Sequence, residues 1–223
     1  MKTPVLIVNY KSYLEGTGKN AIELTKLLEE YHNKYNIEIA VAVSAFDIYP
    51  VSKNTKLPVL AQHIDGIEAG SHTGHLLPEN AKEVGAVGSL INHSERRLTI
   101  AEISYLVERL KKLNMISVVC SDTISTSKSC AALTPDFVAV EPPELIGGDI
   151  SVSTAKPEII RGTVSEVKRI SPDVKVLCGA GVKNKTDVKK ALELGSEGIL
   201  LASGIVKAKD KVKAITEILE GFR

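Results

Sequence analysis

The 223-residue sequence contains no tryptophan, and aromatic residues make up only 4% of it. Because 43% of the residues are hydrophobic, the interior must be built from leucine, isoleucine, valine and alanine, which suits layered aliphatic packing. Cysteines are also scarce. Cys120, Cys130 and Cys178 are too few and too widely spaced for a disulfide framework or a thiolate metal site, so we expect reduced thiols.

The sequence also lacks a long apolar run and an excess of either charge. No stretch approaches the roughly 18 apolar residues of a membrane span. Residues 1–4 lead directly into an apolar run, which argues against a signal peptide. The formal net charge of +1 gives no overall field that would attract nucleic acid or an acidic membrane. We therefore expect a cytoplasmic protein with neither kind of partner.

Short apolar runs alternate with helical patterns along the whole chain. Eight runs are predicted strands, at residues 5–8, 37–43, 57–61, 87–91, 116–119, 137–140, 174–177 and 198–201. Strand-helix alternation without Asn-Gly hairpins predicts an all-parallel sheet. Eight units favour closure into a (β/α)8 barrel over an open sheet, and no linker divides residues 1–223, so we expect one domain.

The fifth unit of this pattern is abnormally short. Between Val119 and Phe137 there is room for about two helical turns, where the outer ring of a barrel normally has a longer helix. The short helix leaves part of the outer surface of the predicted barrel uncovered. Two interpretations stay open at this point: another subunit covers this surface, or it is a short patch in contact with solvent.

Polar residues stand where several predicted strands end, and barrel enzymes carry their active sites at these carboxyl ends. Glu141 follows the run 137–140, so its carboxylate is expected to be rigid and partly desolvated; the alternative is a solvated glutamate at a loop edge. Asn9 and Lys11 follow the first strand, and His93 follows the fourth. A cation, an imidazole and a carboxylate would thus line one mouth.

The imidazole of His93 is predicted to be neutral at pH 7. Ser94 or a residue near it is expected to cap the next helix, with Glu95 in its first turn. The positive end of that helix would then disfavour a second proton on the ring. A neutral imidazole N–H can polarise a carbonyl group, whereas the alternative for a single histidine is a buried structural role.

Small residues follow the last two predicted strands, as Gly179-Ala180-Gly181 and Ala202-Ser203-Gly204. Such turns let backbone N–H groups approach an anion, so we predict a phosphate cradle here. The alternative is that the glycines only end the two strands.

His72 and His75 have no nearby cysteine or acidic pair to complete a coordination shell, so no metal site is predicted.

Taken together, these features closely resemble triosephosphate isomerase over essentially the whole chain. The resemblance rests on Asn9-x-Lys11, His93-Ser94-Glu95-Arg96-Arg97, Glu141-Pro142 and Ile146-Gly147-Gly148. It implies an eight-stranded barrel that interconverts dihydroxyacetone phosphate and D-glyceraldehyde 3-phosphate through an enediolate, without a cofactor, in glycolysis and gluconeogenesis. The short length and the Cys-Gly-Ala-Gly-Val turn are similar to the compact archaeal branch.

The resemblance also implies residue roles. Glu141 would shuttle the proton, His93 would act on the carbonyl oxygens, and Lys11 would supply positive charge. Asn9 would orient the same oxygens, and Glu95 would support the catalytic side chains without contacting the substrate. The phosphate contacts would come from Asn9, Lys11, Ile146, Gly147, Gly181, Ala202 and Ser203. A lid from Pro142 to about residue 150 would close over the substrate.

Some positions depart from the family pattern. The lid has Pro143-Glu144 where the commoner form has Pro-Val-Trp, and the seventh turn has Cys178-Gly179-Ala180-Gly181 in place of Tyr-Gly-Gly-Ser. The usual Gly-Gly pair after the eighth strand is Ala202-Ser203. These changes leave backbone donation to phosphate intact in principle, but they put the lid latch and the side-chain phosphate contact in question.

The loop 67–77 resembles the family's interdigitating loop, in which Thr73 would reach the site of a neighbouring subunit. With the short fifth unit as a second interface, this implies a homotetramer, or at least a dimer.

Two rival functions remain. Another phosphate-binding barrel enzyme would share the cradle, and a non-catalytic sensor or scaffold would be expected to lose the base or the lysine.

Overall fold

Eight parallel strands pair in sequence order and close into a barrel in the structure, a computed structural model that describes residues 1–142 and 152–223. The strands are β1 (Val5–Asn9), β2 (Glu38–Val43), β3 (Val59–Ala61), β4 (Gly88–Ile91), β5 (Ile116–Ser121), β6 (Phe137–Val140), β7 (Lys175–Cys178) and β8 (Gly198–Leu201). The closing pair runs from Val5 opposite Gly198 to Val8 opposite Leu201. The predicted (β/α)8 barrel is confirmed.

Helices connect the strands around the outside. They are α1 (Lys19–Tyr35), α2 (Ile48–Ser52), α3 (Pro78–Glu83), α4 (Ile100–Lys112), α5 (Ile124–Ala131), α6 (Val152–Ala155), α7 (Pro157–Ile170), α8 (Lys185–Glu193), α9 (Ser203–Val206) and α10 (Lys211–Glu220), with a 3₁₀ turn at Leu14–Gly16. Within the two described ranges, no helix is long and apolar enough to cross a membrane.

The fifth helical unit is short, as predicted, since α5 has eight residues. The 3.6-residue period of the apolar residues from 100 to 113 predicts one buried face for α4, and this is confirmed for Ile103, Leu106, Val107 and Leu110. Ile100, assigned to the same face, is 55% exposed because it is the first residue of the helix. A periodic pattern therefore locates the buried face of a helix better than it locates the end of that face.

Alternate residues of the strands fill the barrel interior. The buried inner residues are Val5, Ile7, Ala40, Ala42, Leu60, Leu90, Val118, Cys120, Phe137, Ala139, Leu177 and Leu200. Their neighbours along each strand, such as Leu6 and Val8, pack outward against the helices. One further step of two residues, at or just past the carboxyl ends of the strands, reaches Asn9, Gln62, Asn92, Glu141, Gly179 and Ala202. The uppermost layer of the interior is therefore the polar mouth of the barrel.

Candidate active site

The chain after β1 holds Lys11 in a left-handed backbone conformation, with φ of 48°. This conformation is costly for a residue with a Cβ atom, so it needs support from its surroundings. The Oδ1 atom of Asn9 accepts from the Lys11 N–H at 3.0 Å, and the Nε2 atom of Gln62 donates to the Lys11 carbonyl at 2.9 Å. Residues at the ends of β1 and β3 thus hold the backbone that carries the lysine side chain.

The Lys11 ammonium group lies at the mouth and is largely shielded from solvent. Its Nζ atom is 2.7 Å from Glu95 Oε1, and only 11% of the lysine side chain is exposed. Glu95 is 58% exposed, so the screened ion pair itself contributes little stability. Its effect is to hold the ammonium group between the carboxyl ends of β1 and β4.

His93 follows β4, but no helix begins at Ser94. The next helix, α4, begins at Ile100, and Thr99 caps it in a capping box with Glu102. The predicted capping role of Ser94 and the predicted helix dipole behind His93 are therefore wrong. The chain instead makes a turn in which the Arg96 N–H donates to the carbonyl of His93 at 2.7 Å.

The His93 ring is nevertheless neutral at pH 7, for other reasons. Burial, together with the charge of Lys11, lowers its pKa to about 4 against the opposing charge of Glu95. The Nδ1 atom accepts from the backbone N–H of Glu95 at 3.2 Å. Because that nitrogen is an acceptor, the proton is on Nε2, which points to the mouth as a hydrogen-bond donor.

Glu141 is 7% exposed, and its Oε2 atom lies 3.5 Å from His93 Nε2. Neither of these two buried atoms has a hydrogen-bond partner among residues 1–142 and 152–223. The pKa of Glu141 is raised to about 7, because the effect of burial outweighs the charge of Lys11 and a hydrogen bond from Cys120, which both lower it. The alternative of a solvated glutamate is therefore wrong, and the carboxylate is suited to accept a proton near neutral pH.

Gly179 leaves the space that Glu141 occupies. A Cβ atom at position 179 would lie 2.9 Å from both Cγ and Oε1 of Glu141 and 2.7 Å from the carbonyl oxygen of Leu200. These distances are too short for carbon, and the backbone oxygen cannot move away easily. The absence of a side chain at this position therefore sets where the carboxylate sits.

Replacing Gly179 by alanine is expected to displace the Glu141 carboxylate and to lower kcat by about a hundredfold, since reacting groups tolerate little misplacement. Steady-state kinetics measures this loss. Gly66→Ala is the matched control, because a Cβ atom there would meet only Tyr105 and Leu106 at 3.5 Å or more. Equal turnover of the two variants would contradict this account of Gly179.

The turns after β7 and β8 lie on one side of Lys11. A small pocket there is lined by Lys11, Glu141, Gly181, Ala202 and Ser203, among others. The predicted phosphate-binding residues of these two turns thus share a pocket with Glu141 and Lys11. Gly181 has φ of 75°, a conformation that favours glycine. Ile146, Gly147 and the predicted lid from 143 onwards lie outside the described residues.

A second pocket lies on the other side of Lys11 and includes Asn9, Gln62, His93 and Glu95. The structure thus brings Asn9, Lys11, His93, Glu95 and Glu141 together, as predicted. Thr73 is separate from them, exposed in the loop between β3 and α3 with His72 and His75, whose rings are 5.7 Å apart. Across residues 1–142 and 152–223, no group of three or more potential ligands is arranged to hold a metal ion.

Three residues that support the site were not among the predicted site residues: Gln62, Asn92 and Cys120. Asn92, with φ of 61°, accepts from the Leu98 N–H and donates to the carbonyl of Cys120, so it shapes the turn that carries His93. The inside-outside alternation of the strands would have found all three, because each lies on the inner face or one step beyond it.

A sequence model of the family described as triosephosphate isomerase matches residues 4–220. The chain belongs to the triosephosphate isomerase family. The protein named triosephosphate isomerase in Methanothermus fervidus is 54% identical over 219 residues, which are 98% of this chain and 99% of that protein. Those of Methanocaldococcus jannaschii and Methanosarcina mazei are 50% and 49% identical, and each alignment covers at least 97% of both chains. The predicted resemblance to triosephosphate isomerase, including its archaeal character, is confirmed.

Proposed function

We infer that this chain interconverts dihydroxyacetone phosphate and D-glyceraldehyde 3-phosphate, a step of glycolysis and gluconeogenesis. Membership of the triosephosphate isomerase family supports the reaction. The observation that carries the mechanism is a pair of buried atoms, Glu141 Oε2 and His93 Nε2, which lie 3.5 Å apart and have no hydrogen-bond partner within the described part of the chain. One is an acceptor and the other a donor, as removal of a proton next to a carbonyl group requires.

In the proposed mechanism, ionised Glu141 removes a proton from C1 of dihydroxyacetone phosphate. The electrons of that C–H bond form the C1–C2 double bond, and the carbonyl oxygen at C2 becomes an enediolate oxygen. The Nε2–H group of His93 donates a hydrogen bond to that oxygen. Glu141 then returns the proton to C2 while a proton moves from O1 to O2, which leaves an aldehyde at C1.

Lys11 and Asn9 assist this charge movement. The Lys11 ammonium group, held in a desolvated position, stabilises the negative charge that develops on the enediolate oxygens. The Oδ1 atom of Asn9 is engaged by the Lys11 backbone, so its Nδ2 group is the part proposed to orient substrate oxygens. Glu95 acts indirectly, through its contacts with Lys11 and His93.

The phosphate group is proposed to bind to backbone N–H groups of Gly181, Ala202 and Ser203. Lys11 borders the same pocket and adds charge. Ile146 and Gly147 stay predicted contacts from the segment outside the described residues. Since the reaction moves one proton and one electron pair within a single molecule, it requires no redox cofactor.

Isotope exchange tests the mechanism. In D2O, the purified protein is expected to convert dihydroxyacetone phosphate into glyceraldehyde 3-phosphate that carries deuterium at C2, because the base exchanges its proton with solvent during the enediolate's lifetime. Products that lack a triose phosphate would favour the rival barrel enzyme. Phosphate-ligand binding without any turnover would favour the non-catalytic sensor.

The acid side of the pH profile follows from Glu141. Its pKa is raised to about 7 by burial, so the base becomes protonated as the pH falls below this value. We expect kcat/KM to fall by about tenfold for each pH unit below 7, since only the ionised base works. His93, with a pKa of about 4, stays neutral over this range. A kcat/KM that stays flat down to about pH 5, with coupling enzyme in excess, would contradict this assignment.

We also propose that the enzyme is an oligomer, at least a dimer and in full a tetramer. Exposed apolar side chains near the mouth, Leu14 at 79% and Phe46 at 95%, support a first interface beside the loop that carries Thr73. In this arrangement Thr73 enters the partner's pocket near Asn9 and Lys11. A groove lined by Lys111 of α4, Thr134 just after the short α5 and Ile170 of α7 supports the second interface.

Two arginine substitutions test these two interfaces one at a time. Thr73→Arg is expected to break the first interface and to leave dimers joined by the second, with kcat lower by about a hundredfold, because Lys11 and Asn9 lose support. Ser125→Arg on the exposed face of α5 is expected to give dimers with normal activity. Sedimentation velocity combined with kinetics on the same samples measures both effects, and a fully active wild-type monomer would contradict the proposal.

We propose a cytoplasmic location. Cys120, Cys130 and Cys178 are all free and buried. Free thiols are the state that a reducing compartment maintains. Fractionation of the source cells, followed by activity measurement in each fraction, tests this location.

A further inference from the structure

We propose that Asp187 is a positioning residue that holds the turn after β7 in the geometry that phosphate binding needs. This inference rests on the proposed function, because it takes the turn 179–183 as part of the phosphate site. Asp187 lies in the first turn of α8, outside the barrel mouth. It does not line the pocket and would act only through the backbone that it holds.

Asp187 is 8% exposed, and its carboxylate is engaged on both sides. Its Oδ2 atom accepts from the backbone N–H of Lys183 at 3.0 Å. Its Oδ1 atom accepts from the hydroxyl group of Thr154, in α6, at 3.3 Å. The Ser153 hydroxyl group donates to the backbone carbonyl of Asp187 at 3.0 Å, so α6 rests on the same turn of α8.

The turn between β7 and α8 is therefore fixed at both ends. At its start, the Gly179 N–H donates to the carbonyl oxygen of Val140 at 3.1 Å. At its end, the Lys183 N–H donates to Asp187. The predicted phosphate donor Gly181 lies between these two points, so its N–H direction depends on both.

The same turn supports the second half of the cradle. A Cβ atom at Gly204 would lie 3.0 Å from the carbonyl oxygen of Val182, which shows how closely the two turns pack. Gly204 directly follows Ala202 and Ser203, the predicted donors after β8. A shift of the chain at Lys183 would therefore move both groups of N–H donors relative to Lys11.

This contact geometry predicts different outcomes for alanine and asparagine at position 187. Alanine removes both acceptors and leaves the Lys183 N–H without this partner. Asparagine can keep both contacts, because its Oδ1 atom can accept from Lys183 while its amide group donates to the Thr154 oxygen. A role in positioning therefore survives in Asp187→Asn and is lost in Asp187→Ala.

The experiment measures KM, kcat and the Kd of inorganic phosphate for these variants of the full chain. For Asp187→Ala we expect KM and the phosphate Kd to rise together by about tenfold, the effect of one lost hydrogen bond to a charged group. We expect kcat to change much less, and we expect Asp187→Asn to restore near-normal values. Asp187→Ser, too short to reach Lys183, serves if the alanine variant does not fold.

Asp210→Ala is the matched control. Asp210 caps α10 by accepting from the Lys213 N–H at 2.9 Å, so its loss weakens a helix start without touching the cradle. Thr154→Val, which keeps the Lys183 contact, is expected to leave KM within about twofold of normal.

Three results would overturn the proposal: an unchanged phosphate Kd in folded Asp187→Ala, an equal rise in KM in Asp210→Ala, or an effect of Thr154→Val as large as that of alanine at 187. The proposed function is tested separately. A wild-type protein without isomerase activity would contradict it, whatever the phosphate Kd values of the variants.

Discussion

Replacing Glu141 by glutamine is expected to lower kcat by about ten-thousandfold, the upper range for loss of a general base. The amide has nearly the same size and hydrogen-bonding reach, but it cannot take up a proton from carbon. Binding of a phosphate ligand is expected to change little, because the proposed donors after β7 and β8 are backbone groups. A coupled assay in both directions, with phosphate binding measured by calorimetry, checks these expectations.

The same substitution is expected to stabilise the folded protein at alkaline pH. The folded pKa of Glu141 is about 7 and its ordinary value is 4.5, so the folded state binds more protons than the unfolded state between these values. Wild-type stability therefore falls as the pH rises through this window, by on the order of 3 kcal/mol. Glutamine removes this dependence, so its advantage in Tm should grow as the pH rises from 4.5 to about 7 and be complete above that.

A surface variant provides the control for Glu141→Gln. Glu166, which pairs with Arg169 on α7, carries the same charge away from the mouth. We expect Glu166→Gln to keep normal turnover and to show no gain in Tm at alkaline pH. Near-normal kcat in Glu141→Gln would contradict the mechanism. A Tm of this variant below that of the wild type at pH 8 would contradict only the explanation from the burial of Glu141.

Replacing Lys11 by alanine is expected to raise KM and to lower kcat/KM by about a thousandfold, because a desolvated charge at the developing oxyanion is lost. A second effect follows from electrostatics. The charge of Lys11 lowers the pKa of Glu141 and also that of His93, so its removal raises both. The acid limb of the kcat/KM profile should therefore move to higher pH in the variant.

Lys11→Met separates the charge from the packing of the lysine stem. It keeps a long side chain on the left-handed residue while the ammonium group is lost. We expect methionine and alanine to cause similar losses of rate and similar shifts of the pH profile. Unchanged steady-state constants in either variant would remove Lys11 from the site, and a loss confined to alanine would assign its role to packing.

The sequence predicts the barrel well because strand formation here depends on local apolar runs. Each of the eight strands overlaps its predicted run, since a parallel strand buried on both faces needs continuous apolar residues. The carboxylate of Glu141 was predictable for the same reason, as the first residue beyond such a strand. The exposed ends of helices, as at Ile100, depend on where the neighbouring elements stop and could not be predicted locally.

The fine geometry of the site depends on contacts between distant parts of the chain. The conformation of Lys11 needs Gln62, which is 51 positions away, and the neutral His93 depends on burial and on Lys11 rather than on a helix. The alternation of the strands places Gln62 at the mouth, but no periodic pattern shows that it contacts Lys11 or that Lys11 acts on His93. Asp187 is a further example, because its partner Thr154 belongs to a different helix and only the folded structure shows the contact.

The inside-outside alternation of the strands limits how the length of this chain can change during evolution. Asn9, Gln62, Asn92, Glu141, Gly179 and Ala202 all lie two residues beyond an inward-facing residue of their strand. One residue inserted in such a strand would turn its last side chain outward, toward the helices. Lineages of this family should therefore gain or lose residues in helices and in the loops at the opposite end of the barrel, while strand length stays constant.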